Sequence, residues 1–178
     1  MLRSEEPRNG MLKTSYSREV CVFDEATRTH LRGGCALLVG SVSPDGRPHA
    51  SRGHGITVLG DAPPRVRLLL AAHDVRSQEN LRATGAIAIT TADVSSLYSL
   101  QLKGMVDLVE PATPDDIAKA QQYMDDFVND IVRNDGYTKD DVEAWLPSAF
   151  VACEALVREI FDQTPGPSAG GVLRDRSA

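Results

Sequence analysis

The chain has 178 residues, of which 42% are hydrophobic and 25% charged, and it carries a net charge of −6. That length suits one domain with a proper core, and the composition excludes disorder or a fibrous repeat. Without a basic block there is no electrostatic footprint for nucleic acid. Apolar stretches such as 35–40 and 68–72 fall far short of the ~20 residues a membrane helix needs, so no span is expected.

The first residues, MLRSEEPRNG, place charges and a proline where a signal peptide would have its apolar centre. Residues 1–18 are expected to form an arm. Cys21, Cys35 and Cys153 cannot all pair within one chain, and their spacing matches no zinc or redox motif. Reduced thiols and a cytoplasmic location are the expectation, with no metal.

Residues 23–31 have helical spacing, with Asp24 as N-cap and Gly33-Gly34 as the stop. The apolar run 35–42 is followed by Ser43-Pro44-Asp45-Gly46, which predicts strand, hairpin turn and strand. The second strand, 49–59, carries Gly53 and Gly55, a sign of a bulge or a binding edge. Strand alternation resumes over 65–72. A short helix fits 73–84, capped by Asp74 or Ser77 and ended by Gly85. AIAIT from Ala86 is a strand. In 98–108 the even positions Tyr98, Leu100, Leu102, Val106 and Leu108 are apolar, with Gln101, Lys103 and Asp107 opposite.

Thr113-Pro114-Asp115-Asp116 is a helix-start signature. The stripe Ile117, Ala120, Met124, Phe127, Val128 and Ile131 predicts an amphipathic helix that packs as core or dimer contact. A second short helix follows from Thr138, with Trp145 expected to anchor this helical insertion, 113–147, to the barrel. A long last strand covers 149–161, and 166–178 reads as a tail. Strands in meander order with few exposed edges close into a barrel, giving a mainly β (α+β) chain. It has no GxGxxG, Walker, HExxH or GxSxG motif.

The order helix, strand, Ser43-Pro44-Asp45-Gly46-Arg47-Pro48, two strands, a short helix with Arg76-Ser77 and Asn80-Leu81, and then Gln101-Leu102-Lys103-Gly104 resembles the pyridoxamine 5′-phosphate oxidase-like FMN-binding split barrels. The resemblance covers 19–165 and implies a split β-barrel of about six antiparallel strands. It also implies a homodimer with FMN at the subunit interface. The flavin phosphate contacts of that family map onto Ser51, Arg52, Arg76 and Ser77, with Gly53 and His54 beside them on the second strand. Gln101 matches a glutamine that touches the flavin, often from the other subunit, and Lys103 shares its face. A phosphate dianion suits such a set, because guanidinium groups and a helix N-terminus both favour it. Many FMN-binding members carry a lysine where Ser77 stands. A sister branch binds haem, with a run that Ala72-His73 and Asn80-Leu81 partly match, and another uses the deazaflavin F420. The implied function is a flavin-dependent oxidoreductase acting on a small substrate. The alternative is a non-catalytic flavin- or haem-binding or sensing module.

Overall fold

A computed structural model describes residues 22–173, so the expected arm 1–18 lies outside the described residues. Six strands form one closed antiparallel barrel: β1 (Ala36–Val42), β2 (Pro48–Asp61), β3 (Pro64–Ala71), β4 (Ala86–Ala92), β5 (Ser99–Pro111) and β6 (Phe150–Asp162). Their order is β1-β2-β3-β6-β5-β4, and β4 returns to β1. The barrel is thus two three-stranded meanders, β1–β3 and β4–β6, joined along β3–β6 and β4–β1. Closure leaves no unpaired edge in the sheet.

Among the described residues four helices complete the fold: α1 (Glu25–Arg32), α2 (Val75–Thr84), α3 (Pro114–Asp135) and α4 (Lys139–Glu143). Asp24 caps α1 by accepting from the Thr27 amide. The turn at Ser43 to Arg47 is closed by Gly46 N donating to the Ser43 carbonyl, and Gly46 takes the positive φ that turn requires. Inward-facing Val39, Val66, Leu68, Leu70, Ile89, Leu100, Leu102 and Ile160 are all nearly free of solvent and fill the barrel. Phe23 and Leu31 of the α1 region and Leu81 of α2 join the same core.

The glycine-marked bulge is present. Between Gly53 and Ile56, β2 has one more residue than β3 opposite it. Gly55 lies in this bulge at φ +153°, where an added Cβ would come within 2.9 Å of Ala120 Cβ on α3.

Three features depart from the sequence pattern. A bulge on β5 between Val106 and Leu108 turns Leu108 outward to 38% exposure, so the even-numbered alternation ends at Val106. On α3 the buried residues are Asp116, Ala120, Tyr123, Met124 and Val128, while Ile117 is 43% exposed. The stripe is rotated because Arg67 pulls Asp116, not Ile117, against the barrel. Trp145 is 47% exposed and stacks edge-on against Tyr137, so it does not anchor the insertion by burial.

Candidate functional site

Strand alternation divides the candidate residues between two faces of the barrel wall. The register pairs Arg52 with Leu38, Leu38 with Thr90, Thr90 with Gln101 and Gln101 with Phe161. These five residues therefore form one row across β2, β1, β4, β5 and β6, on the outer face. The row beside it is Ala50, Gly40, Ala88, Lys103 and Glu159. With strands ~4.8 Å apart, Arg52 and Gln101 stand about 14 Å from each other.

This outer face is a platform of small residues, Ala50, Gly40 and Ala88, rimmed by polar ones. Gly40 and Ala88 are half-buried, Ala50 is exposed and Leu38 is 56% exposed. The Gln101 amide donates to Thr90 Oγ1 at 3.0 Å, which fixes its orientation on the platform. Lys103 Nζ lies 4.2 Å from the centre of the Phe161 ring, a cation–π contact that leaves the ammonium exposed. A shallow groove continues from Gly40 and Ala88 past Lys103 to Arg158.

Ser51 and Ser77 meet at the start of α2. Ser51 faces the same way as Val39 and joins its hydroxyl to that of Ser77 at 2.9 Å. The Asp74 side chain caps α2 by accepting from the Ser77 amide at 3.2 Å, and its other neighbour is His49 Nε2, also at 3.2 Å. Burial opposes the Asp74 charge, but hydrogen bonds from Ser77, Ser51 and His49 outweigh it and hold the carboxyl below its ordinary value. Its Oδ2 is buried with no hydrogen-bond partner among the described residues. Arg76 is exposed on the outer side of α2 and, like Arg52, has no ion pair among the described residues. The structure thus brings together Ser51 with Ser77, and separately Gln101 with Lys103 on the platform, while Arg52 shares their face at about 14 Å from Gln101. Arg76 stands next to Ser77 in the first turn of α2 with its side chain exposed.

That arrangement decides how a phosphate would fare at α2. An ionised carboxylate already fills the helix cap, and its orphaned oxygen calls for a donor or a cation, not a second anion. The α2 start does not fit a phosphate dianion. The platform carries exposed positive charge at Lys103 and an oriented amide at Gln101, and it fits the ring of a planar anionic molecule.

His54 and Gly53 line a cavity of about 310 Å³ between β1–β2 and the insertion, which meets the platform at Leu38 and Arg52. Leu38, Met124, Phe127, Ile131, Trp145 and Leu146 are among its walls, and Arg52 stands in its lining. Burial first, and then the charges of Arg52 and His73, push the His54 imidazole down to about 4. Its ring packs 5.8 Å from Phe150. Gly53 is required here, since an added Cβ would come within 2.9 Å of Leu37 Cβ. Tyr123 from α3 donates to the Cys35 carbonyl at 3.1 Å and pins the insertion to the residue just before β1, beside the cavity.

Sequence reasoning missed Asp74 as a competitor for the anion site, and it missed the pairing of His49 with it. The residues lie 25 positions apart, and only the β2–α2 packing joins them. It also missed Leu38, although strict alternation from Leu37 would have put it on the outer face.

No family model matches this chain, and no curated protein matches it. Solved structures do. A HupZ variant from Group A Streptococcus superposes with a TM-score of 0.51 at 13% identity, covering 78% of this chain and 98% of that one. A putative pyridoxamine 5′-phosphate oxidase from Lactobacillus delbrueckii gives 0.48 at 16% identity, over 79% and 93% of the two chains. HutZ, a haem storage protein from Vibrio cholerae, gives 0.42 at 14%, over 78% and 93%. At these identities the likeness concerns the fold, and with the closed β1-β2-β3-β6-β5-β4 topology it establishes the chain as a six-stranded antiparallel split barrel.

Proposed function

We propose that this chain is a homodimeric cofactor-binding split barrel that holds FMN between two copies and acts as a flavin-dependent oxidoreductase on a small substrate. The observation that carries the reading is the platform, whose small residues Ala50, Gly40 and Ala88 admit a flat ring and whose rim presents Gln101 and Lys103. Apolar and small residues on the outside of a barrel favour a partner surface over water. A second copy related by a two-fold axis would cover the face with its own equivalent. Gln101 would meet the polar edge of the ring and Lys103 the negative charge. When bound, the flavin would supply hydride or electron transfer, and the protein would supply position and electrostatics.

A second reading is favoured by the Asp74 carboxylate at the start of α2. A planar cofactor without a phosphate, haem above all, avoids the repulsion there, and exposed His73 offers an imidazole nearby. The visible spectrum of the purified protein separates the two, since released FMN supports the first and a Soret band the second. Equilibrium sedimentation tests the dimer. Lys103→Gln is expected to weaken FMN binding by about tenfold, the worth of one charge-assisted contact. A colourless monomer that takes up neither cofactor would end both readings.

A further inference from the structure

The cavity under the insertion is not needed to hold a ring on the platform, and its chemistry is different. Leu38 and Trp145 at its edge are 56% and 47% exposed, so the space of about 310 Å³ is a cleft open to solvent and accessible to a ligand. It lies at the low end of small-molecule sites, which run from about 300 to 1,000 Å³. At roughly 30 Å³ for each water-sized group, it takes a body of about ten such units.

The walls are apolar and come from two independent sources. Leu38 belongs to the barrel, while Met124, Phe127, Ile131, Trp145 and Leu146 belong to the insertion. Against that lining stand two nitrogen-bearing side chains, Arg52 and His54. No carboxylate among the described residues pairs with Arg52, and its guanidinium presents a fork suited to two carboxylate oxygens. His54 is uncharged at neutral pH and can donate or accept one hydrogen bond. Tyr123 is already committed to the Cys35 carbonyl and offers no free donor.

From this juxtaposition we infer that the cavity is a binding site for a compact apolar monocarboxylate of about ten carbons. Its chain lies among Met124, Phe127, Ile131 and Trp145, and its head group sits on Arg52 with His54 beside it. An amine of the same shape would face the Arg52 charge, and an alcohol would leave the fork unpaired. The site stands whether or not the platform holds a cofactor.

Trp145 is the only tryptophan in the chain and lines the cavity, so its emission reports occupancy directly. The experiment titrates the full-length protein with decanoate, decanol and decylammonium. Decanoate is expected to change Trp145 emission saturably, with decanol at least about tenfold weaker and decylammonium weaker still. Arg52→Gln is exposed and tolerable to the fold, and it should bring decanoate down to the level of decanol. Ala36→Phe, which fills the cavity from the β1 side, should abolish the response while circular dichroism stays unchanged. Decanoate affinity should be the same in the parent and in Lys103→Gln, whose side chain does not line the cavity, which keeps this site separable from the platform. Absence of a saturable decanoate response, or equal affinities for decanoate and decanol in both parent and Arg52→Gln, would overturn the inference.

Discussion

The guanidinium of Arg67 on β3 grips the carboxylate of Asp116 on α3 with two hydrogen bonds, at 2.6 and 2.8 Å. The same carboxylate closes the capping box of α3, accepting from the Thr113 amide at 2.8 Å. Arg67 reaches Glu154 on β6 at 2.9 Å and Glu110 on β5 at 2.8 Å as well. One cation therefore ties the first turn of the insertion to three strands. Its side chain is 11% exposed and that of Asp116 10%, so solvent screens the pair little.

Removing Arg67 should leave Asp116 buried without its partner, at a cost of about 3 kcal/mol. The Arg67 hydrogen bonds hold the Asp116 carboxyl far below the usual carboxylate range against the opposing effect of burial. A depressed folded-state value means that the stabilisation is whole above the unfolded value, about 3.9, and fades as pH falls below it. Urea denaturation of Arg67→Met at neutral pH should show the full loss. At strongly acid pH parent and variant should converge, and a gap that persisted there would assign the effect to packing alone.

Gly34 precedes β1 at φ +69°, and an added Cβ would lie 2.6 Å from Asp126 Cβ and 2.8 Å from the Phe127 nitrogen of α3. Gly46, in the hairpin turn, has φ +83° and open space around it. Gly46→Ala should cost only the left-handed backbone strain, about 1 kcal/mol. Gly34→Ala adds overpacking against helical backbone and should cost about 2–4 kcal/mol in total. Because α3 walls the cavity, only Gly34→Ala should also alter Trp145 emission. Equal melting temperatures for the two variants would contradict this account.

Much of this architecture was legible because local signals and tertiary demands agree. Thr113-Pro114 with Asp116 marks the start of α3 in sequence and forms the capping box in space. Gly53 and Gly55 marked a bulge that is present. Where the reading drifted, a long-range contact decided the matter. Ile117 fits the apolar stripe as well as its neighbours do, and only the Arg67–Asp116 pair, 49 positions apart, turns it outward. Leu108 follows an unbroken alternation until the β5 bulge displaces it. The platform was half visible, since Gln101 and Lys103 share a face by alternation. Their alignment with Arg52 depends on the β1–β4 closure, which no local pattern encodes.

Cys35 and Cys153 are both fully enclosed, and burial pushes each thiol up to about 12. Only the thiolate attacks an aromatic disulfide reagent, so near neutral pH the reactive fraction is vanishingly small. In a Cys21→Ser protein, which removes the thiol outside the described residues, native labelling should be negligible over hours. Two thiols per chain should then appear on denaturation. Rapid native labelling of Cys35 would mean that α3, whose Tyr123 bonds its carbonyl, lifts off β1 readily.

His54 gives the fold a proton-linked weakness of definite sign. Its folded-state value near 4 lies below the ordinary 6.5, so between these limits the unfolded chain binds more protons than the folded one. Stability is then whole above about pH 6.5 and falls as pH drops toward 4, by at most about 1.4 kcal/mol per pH unit for one proton. His30, whose burial also lowers its value, adds loss of the same sign. A His54→Gln protein keeps hydrogen-bonding capacity without the charge, so its stability should fall less steeply over that window than the parent's. Decanoate bound on Arg52 would offset the repulsion that disfavours imidazolium, raise the His54 value and flatten the parent's curve toward the variant's. Parallel curves for parent and His54→Gln, with and without decanoate, would show that His54 is solvated in the folded protein and that the cavity is open to water.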